Sequence, residues 1–255
     1  MSDPPGPSDR LSQTGLPPDQ VGLLEGLVTT RTIRRYAEDP VPPEALRAML
    51  FAATRAPSGS NRQPFRFIVL TDGPKAATAK RIVAEGAREI WDAKRVADGY
   101  DRGTGTDSSS PKARVARTMQ HYVDHLADAP VLVFPCLVRH RDPFPTEGAS
   151  IYPACQNLLL AARALGYGGA FTVMHHPVES ELRDLLDIPD GVLLAGTITI
   201  GRPAGGHGPV RRRPLSELVF SEGWGVTPVW AVDPPGTEHT SAGPPGVATQ
   251  EGSTR

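Results

Sequence analysis

Cysteine is scarce: Cys136 and Cys155 are the only two in 255 residues. Both sit in apolar runs, VFPCLV and YPACQNLLL, so they read as reduced core thiols rather than a disulfide or a metal pair. A chain without a disulfide framework belongs by default to a reducing compartment, and the cytoplasm is expected. Charge of one sign is missing too. Twenty-seven Lys and Arg stand against 28 Asp and Glu, a net charge of −1, which offers nothing to nucleic acid or to an anionic membrane surface. No apolar run approaches the roughly 20 residues that span a bilayer. The opening MSDPPGPSDRLSQTGLPPD lacks the basic-then-apolar order of a signal peptide.

Several chemical signatures are absent as well. GYGGAF at 166–171 has neither the spacing of a dinucleotide fingerprint nor a helix directly after it. There is no GxxxxGK[ST] phosphate loop and no GxSxG elbow. Ser58 of PSGS has no His and acid that the sequence assigns to it, which leaves little for a hydrolase. His175 and His176 are adjacent, a spacing that sends them to opposite faces of a strand, and they lack partners at ligand spacing; no metal is expected. No carboxylate pair stands out as an acid–base couple. A chain without its own acid, base or nucleophile has the profile of an enzyme whose cofactor carries the chemistry.

What is present is a globular pattern, 39% hydrophobic and 22% charged, with 27 Pro and 26 Gly concentrated in tails and loops. Residues 1–18 read as a disordered N-terminal tail and 221–255 as a largely disordered C-terminal one, with the domain at 19–220 between them. A soft stretch, DRGTGTDSSSP, divides two helix-like runs, Pro74 to Asp98 and Lys112 to Leu126. Val21, Leu24, Leu27 and Val28 form a first apolar stripe, and Pro43 opens a helix with Leu46, Met49, Leu50 and Ala53 on one face. Ala149–Leu165 reads as a buried helix closed by Gly166, and Val178–Leu186 as another. Strands are expected at Phe65–Thr71, Pro130–Val138, Gly168–Val173 and Val192–Ile200, with Pro135 marking an irregularity or an edge. Without a strict βαβ rhythm, this predicts an α+β domain around a mixed, mostly antiparallel sheet.

Three arginine clusters stand out: Arg31 with Arg34 and Arg35, Arg55 with Arg62 and Arg66, and Arg211 to Arg213. Each reads either as solvated surface or as an anion site. The first, TTRTIRRY, interleaves hydroxyls with guanidinium forks, a combination suited to a phosphate monoester. The loop in RAPSGSNRQPFRFIVL carries Ser58, Asn61 and Gln63, more hydrogen-bonding groups than a turn needs. They suit a flat heterocycle with alternating donors and acceptors, or a turn that caps itself.

The first block, 29–70, resembles the N-terminal signature of the nitroreductase family of FMN enzymes. ASIYPACQNLLLAARALGYGGAF (149–171), LLDIPDGVLLAGTITIGRP (185–203) and RRRPLSELV (211–219) match later blocks in order, so the resemblance spans roughly 20–220. It implies a three-layer sandwich and a homodimer with two FMN sites at the interface, each built from both chains. By resemblance Thr30, Arg31 and Thr32 hold the FMN phosphate, although Thr30 stands where the family has its first arginine, and Arg34 tunes the flavin near N1/O2. Pro57, Ser58 and Gly59 lie against the ring, Asn61 offers an amide to its polar edge or ribityl chain, and Gln63 supports the loop. Phe171, Thr172, Val173 and Met174 run along the isoalloxazine, and Arg211 and Arg212 close on the phosphate.

The implied activity is reduction of FMN by NAD(P)H and transfer of hydride from flavin N5 to a nitroaromatic or quinone, with ping-pong kinetics. The alternatives are an FMN oxidase, dehydrogenase or dehalogenase acting on a specialised metabolite, or a flavin-binding protein without turnover. Nothing in the residues selects NADH, NADPH or a deazaflavin as donor. Segment 86–129 aligns with the family's variable lid, where Trp91, Tyr100, His121 and Tyr122 read either as pocket residues or as helix-packing aromatics.

Overall fold

The structure, a computed structural model, describes residues 15–240. The expected disorder of 1–14 and 241–255 lies outside those residues. One compact unit ends at Gly208 and a second begins at Pro209. Among the described residues no helix is long and apolar enough to cross a membrane.

Helices α1 (Leu23–Thr29) and α2 (Pro43–Ala53) come first. Strand β1 (Phe65–Leu70) and the long α3 (Pro74–Ala97) follow. Proline opens both α2 and α3, where its missing N–H costs no helical hydrogen bond. Helix α4 (Pro111–Asp124) also begins on proline, and the Ser110 hydroxyl before it accepts from the Ala113 N–H at 3.0 Å. The chain continues through β2 (Val131–Val138), α5 (Tyr152–Ala164), β3 (Gly168–Thr172) and α6 (Glu179–Leu186). It ends the first unit with β4 (Val192–Leu194) and β5 (Thr197–Gly201). Gly166 stops α5 at a φ of 79°, and the Tyr167 N–H returns to the Ala162 carbonyl at 2.8 Å.

The sheet runs β1-β2-β5-β3 with β4 also on β2, and every ladder is antiparallel. Val131, Val133 and Leu137 of β2 bury one face against α2 and α5, while Leu132, Phe134 and Cys136 bury the other against α3, α4 and α6. Helix–sheet–helix is the expected three-layer sandwich. Both cysteines are buried and free.

The expected strand at 192–200 is two strands. β2 pairs with β5 over Val131–Val133 and with β4 over Cys136–Val138, and the break falls opposite Pro135. The Val138 N–H bonds the Pro64 carbonyl, so even positions of β2 bond toward β1 and Pro135 turns its N–H-less nitrogen toward the break. The irregularity expected at this proline lies in its partner strand, and β2 itself is central.

Some residues within the stretches read as tails make defined contacts. The Gly15 carbonyl accepts from Arg47 at 2.8 Å, and Leu16 packs on the core. In the second unit a short helix, α7 (Leu215–Leu218), has its first N–H on the Asp233 carboxylate at 3.0 Å, and the Ser221 N–H bonds the Val226 carbonyl at 2.8 Å.

Candidate functional site

The Thr30–Tyr36 segment leaves α1 and runs beside the sheet edge, where the Ile33 N–H bonds the Gly169 carbonyl at 3.0 Å. Gly168 makes room for Ile33, since a Cβ there would come within 2.4 Å of the Ile33 side chain. With Ile33 buried, Arg31 and Thr32 project outward and Arg34 is half-buried. The Thr30 hydroxyl donates to the Gly26 carbonyl at the end of α1.

Arg34 is the least satisfied side chain of the segment. Its Nε is buried with no hydrogen-bond partner, and no carboxylate pairs with it among the described residues. Burial lowers its pKa, neighbouring tyrosines oppose that shift and Arg31 adds to it. Beside it lies an ordered hydroxyl chain that the sequence did not reveal. Tyr36 Oη donates to the Ile33 carbonyl at 2.7 Å, so it must accept from Thr199 Oγ1 at 2.8 Å. Thr199 in turn accepts from Tyr122 Oη at 2.9 Å. Burial pushes the Tyr36 phenol up, with Tyr122 reinforcing it, and carries Tyr122 to about 12; both stay protonated.

The 57–63 loop is rigid and strained. Ser60, Asn61 and Gln63 hold φ of 52°, 52° and 48°, a left-handed region that costs non-glycine residues about 1–2 kcal/mol each. Self-capping holds them there: Ser58 Oγ accepts from the Gln63 N–H at 2.9 Å, and Gln63 Nε2 donates to Asn61 Oδ1 at 3.2 Å. The self-capping reading of the loop is visible in this geometry. Ser58 and Gln63 cap the turn, and the Asn61 amide nitrogen remains exposed without a protein partner among the described residues.

The loop and the end of β3 converge on the start of α5. The Gly59 N–H bonds Ser150 Oγ at 3.2 Å, and two residues on Tyr152 packs edge-on against Phe171, ring centroids 5.8 Å apart at 88°. Thr172 Oγ1 is buried and unpartnered, Val173 is exposed and Met174 is buried. Gly86 of α3 lets the Met174 carbonyl approach, as a Cβ would meet it at 2.6 Å.

His175 belongs to the framework. Its Nδ1 accepts from Thr197 Oγ1 and its Nε2 donates to the Leu194 carbonyl, both at 3.1 Å, so one imidazole bridges the break between β4 and β5. His175, His176 and Glu179 bring ligand atoms within 4.8 Å of one another. Both His175 nitrogens are nevertheless committed, and Glu179 pairs with Arg183 at 2.7 Å.

Of the lid aromatics, Trp91 and Tyr122 are core residues. Trp91 donates to Gln120 Oε1 at 2.9 Å and packs on Tyr100, centroids 5.2 Å apart. Arg211 and Arg212 lie in the second unit, where Arg211 pairs with Glu238 and the Arg212 guanidinium donates to the Arg211 carbonyl. Within the first unit no hydrogen bond, ion pair or ring contact joins the Arg31–Arg34 segment to the 57–63 loop among the described residues.

An antiparallel sandwich with an uncompensated Arg34 guanidinium on the segment after α1 and an orphaned Thr172 hydroxyl at the end of β3 has the donor set of a cofactor-binding protein rather than of a self-sufficient hydrolase. Residues 27–202 match the family model described as Nitroreductase family, and the chain belongs to that family. A Thermus thermophilus protein named NADH dehydrogenase is 30% identical over 195 residues, covering 74% of this chain and 91% of that one. A Methanothermobacter thermautotrophicus protein named for NADH dehydrogenase/NAD(P)H nitroreductase is 28% identical over 191 residues, 72% of this chain and 79% of that one. A Desulfovibrio desulfuricans protein crystallised in complex with FMN is 27% identical with a TM-score of 0.59, covering 80% of this chain and 99% of that one.

Proposed function

We propose that the protein is an FMN-dependent NAD(P)H oxidoreductase whose acceptor is electron-poor, a nitroaromatic or a quinone. The observation that carries this reading is Arg34: a half-buried guanidinium with an orphaned Nε and no carboxylate. Such a group is costly until a ligand supplies negative charge or hydrogen-bond acceptors, which a flavin mononucleotide does at its phosphate and its pyrimidine edge. The orphaned Thr172 hydroxyl and the exposed Asn61 amide suit the same ligand. FMN held by these residues would supply the redox chemistry, hydride exchange between a reduced nicotinamide and the acceptor.

The protein's own part is to bind, orient and tune. Arg31 and Thr32 offer exposed donors for the phosphate, and within the second unit the Arg212 guanidinium has no carboxylate partner among the described residues. Arg34 fixes a positive charge for the ring's electron-rich form. The Tyr122–Thr199–Tyr36 chain orders the framework beside Arg34, and the strained loop holds Asn61 out of the turn. Pro57, Ser58, Gly59 and the Phe171–Met174 segment form the wall of the ring pocket.

Two copies complete the site. Leu23 and Leu24 on α1 are 71% and 77% exposed, and Leu27 and Val28 are exposed beside them, a contiguous apolar face that a second copy would cover. Our reading is a cytoplasmic homodimer: the exposed α1 face supports pairing, and two free buried thiols suit a reducing compartment.

The test is an anaerobic visible spectrum of the purified protein before and after NADPH or NADH. Bleaching of a flavin band by either donor, then its return on adding a quinone, is the expected result. A flavin that neither donor bleaches would turn the assignment toward an oxidase or a carrier. A colourless protein that takes up no FMN would end it.

A further inference from the structure

A cleft of about 300 Å³ opens at the end of the β1–β2 ladder, lined by Arg62, Gln63, Arg66, Arg139 and His140, with no carboxylate in its wall. Arg139 is answered from outside the wall by Glu147, in a two-pronged pair at 2.7 and 2.9 Å. Arg66 is oriented by carbonyls alone: its Nη1 donates to Gln63 and Phe65 at 3.1 and 2.8 Å. Arg62 is exposed, and neither it nor Arg66 has an ion-pair partner among the described residues. Two uncompensated guanidinium forks, an imidazole and no acid make a site for a dianion, and a phosphate monoester is the biological group that matches the forks in charge and geometry.

The cleft also shares a residue with the flavin loop. Gln63 lines it while its backbone N–H is held by Ser58 and its amide holds Asn61. The volume takes a phosphorylated ribose but not a whole dinucleotide, so the rest of the ligand must extend outside, and on the Gln63 side lies the loop. We propose that this cleft binds the 2′-phosphate of NADPH and makes the enzyme selective for NADPH over NADH. The inference rests on reading the 57–63 loop as part of the flavin site.

The test is calorimetric titration of the holoprotein with 2′,5′-ADP, with 5′-AMP and with inorganic phosphate, in the native protein and in Arg62→Ala and Arg62→Lys. Arg62 contributes only its backbone to the 57–63 loop, its N–H bonding the Gly59 carbonyl, and its exposed side chain is none of the groups proposed to touch the flavin, so the fold and flavin content stay intact. The native protein should bind 2′,5′-ADP more tightly than 5′-AMP by about tenfold or more, and Arg62→Ala should erase that margin without changing 5′-AMP. Arg62→Lys keeps the charge without the fork and should fall between. In turnover, kcat/KM for NADPH should drop by about tenfold in Arg62→Ala while that for NADH changes by less than about twofold.

Equal binding of 2′,5′-ADP and 5′-AMP would overturn the proposal. So would Arg62-dependent binding of inorganic phosphate without 2′,5′-ADP, which would assign the cleft to a phosphate from another ligand. The titrations read the cleft without any flavin chemistry. An enzyme bleached equally by both donors therefore defeats this inference and leaves the reductase standing, whereas an unreduced flavin defeats the reductase.

Discussion

At the scale of single residues, polar groups with nowhere to go separate from those that are locked in place. Arg34 Nε and Thr172 Oγ1 are buried and unpartnered, whereas His175 has both nitrogens bonded. The adjacent histidine pair thus contains a strut, and its chemistry predicts a pH dependence of folding. Burial, with His176 adding to it, holds the His175 imidazole at about 4, below its ordinary 6.5. An unfolded chain takes up that proton near pH 6.5, and the folded chain does so only near pH 4. Its contribution is therefore complete above pH 6.5 and is lost as the pH falls toward 4, by about 3 kcal/mol at the end of that window. Urea unfolding between pH 7 and 4.5 should show this slope in the native protein and a shallower one in His175→Gln; equal slopes would place the acid sensitivity elsewhere.

At the scale of elements, periodicity made the helices legible and packing decided what it could not. The alternation of Thr with aliphatics over 192–200 signals a strand, and it contains no sign of the break at Ala195–Gly196. That break depends on a residue distant in sequence, because a Cβ on Gly196 would lie 2.5 Å from the Phe171 ring. The apolar stripe of α1 was legible as a helix, but a stripe does not say whether it faces its own core or another chain. Trp91 and Tyr122 were undecidable for a similar reason, since burial follows from which helix lies over them. Among the candidate site residues, the loop and the β3 end were legible by type, but the hydroxyl chain through Thr199 was not. It joins residues 36, 122 and 199, which only the fold brings together. Gly196→Ala should accordingly push Phe171 and the end of β3 aside. Overpacking of this kind costs about 1–3 kcal/mol, so a lower melting temperature and reduced FMN content are expected together. A variant that keeps its full flavin content would show that the Phe171–Met174 segment is not a wall of the ring pocket.

At the scale of the molecule, a single chain presents the two parts of the proposed flavin site without joining them. The Arg31–Arg34 segment emerges from α1, and the 57–63 loop is clipped to the start of α5 through Ser150. α1 also carries the exposed apolar face, and beside it Gly22, Phe51, Ala161 and others line a groove of about 390 Å³. If a second copy covers that face, the arginine segment continuing from α1 would lie at the proposed interface, so association and flavin retention should be linked. Leu24→Asp with Leu27→Asp puts two carboxylates into that face without disturbing the buried core of the chain, as both side chains are exposed. Light scattering should then report a monomer in place of a dimer, and the protein should lose its yellow colour while its far-ultraviolet dichroism is retained. Added FMN should restore some dimer by mass action, because a ligand that binds only the paired state stabilises it. A variant monomer that holds FMN as tightly as the native protein would mean that one chain supplies the whole site, and the arginine segment would then have to reach its own loop.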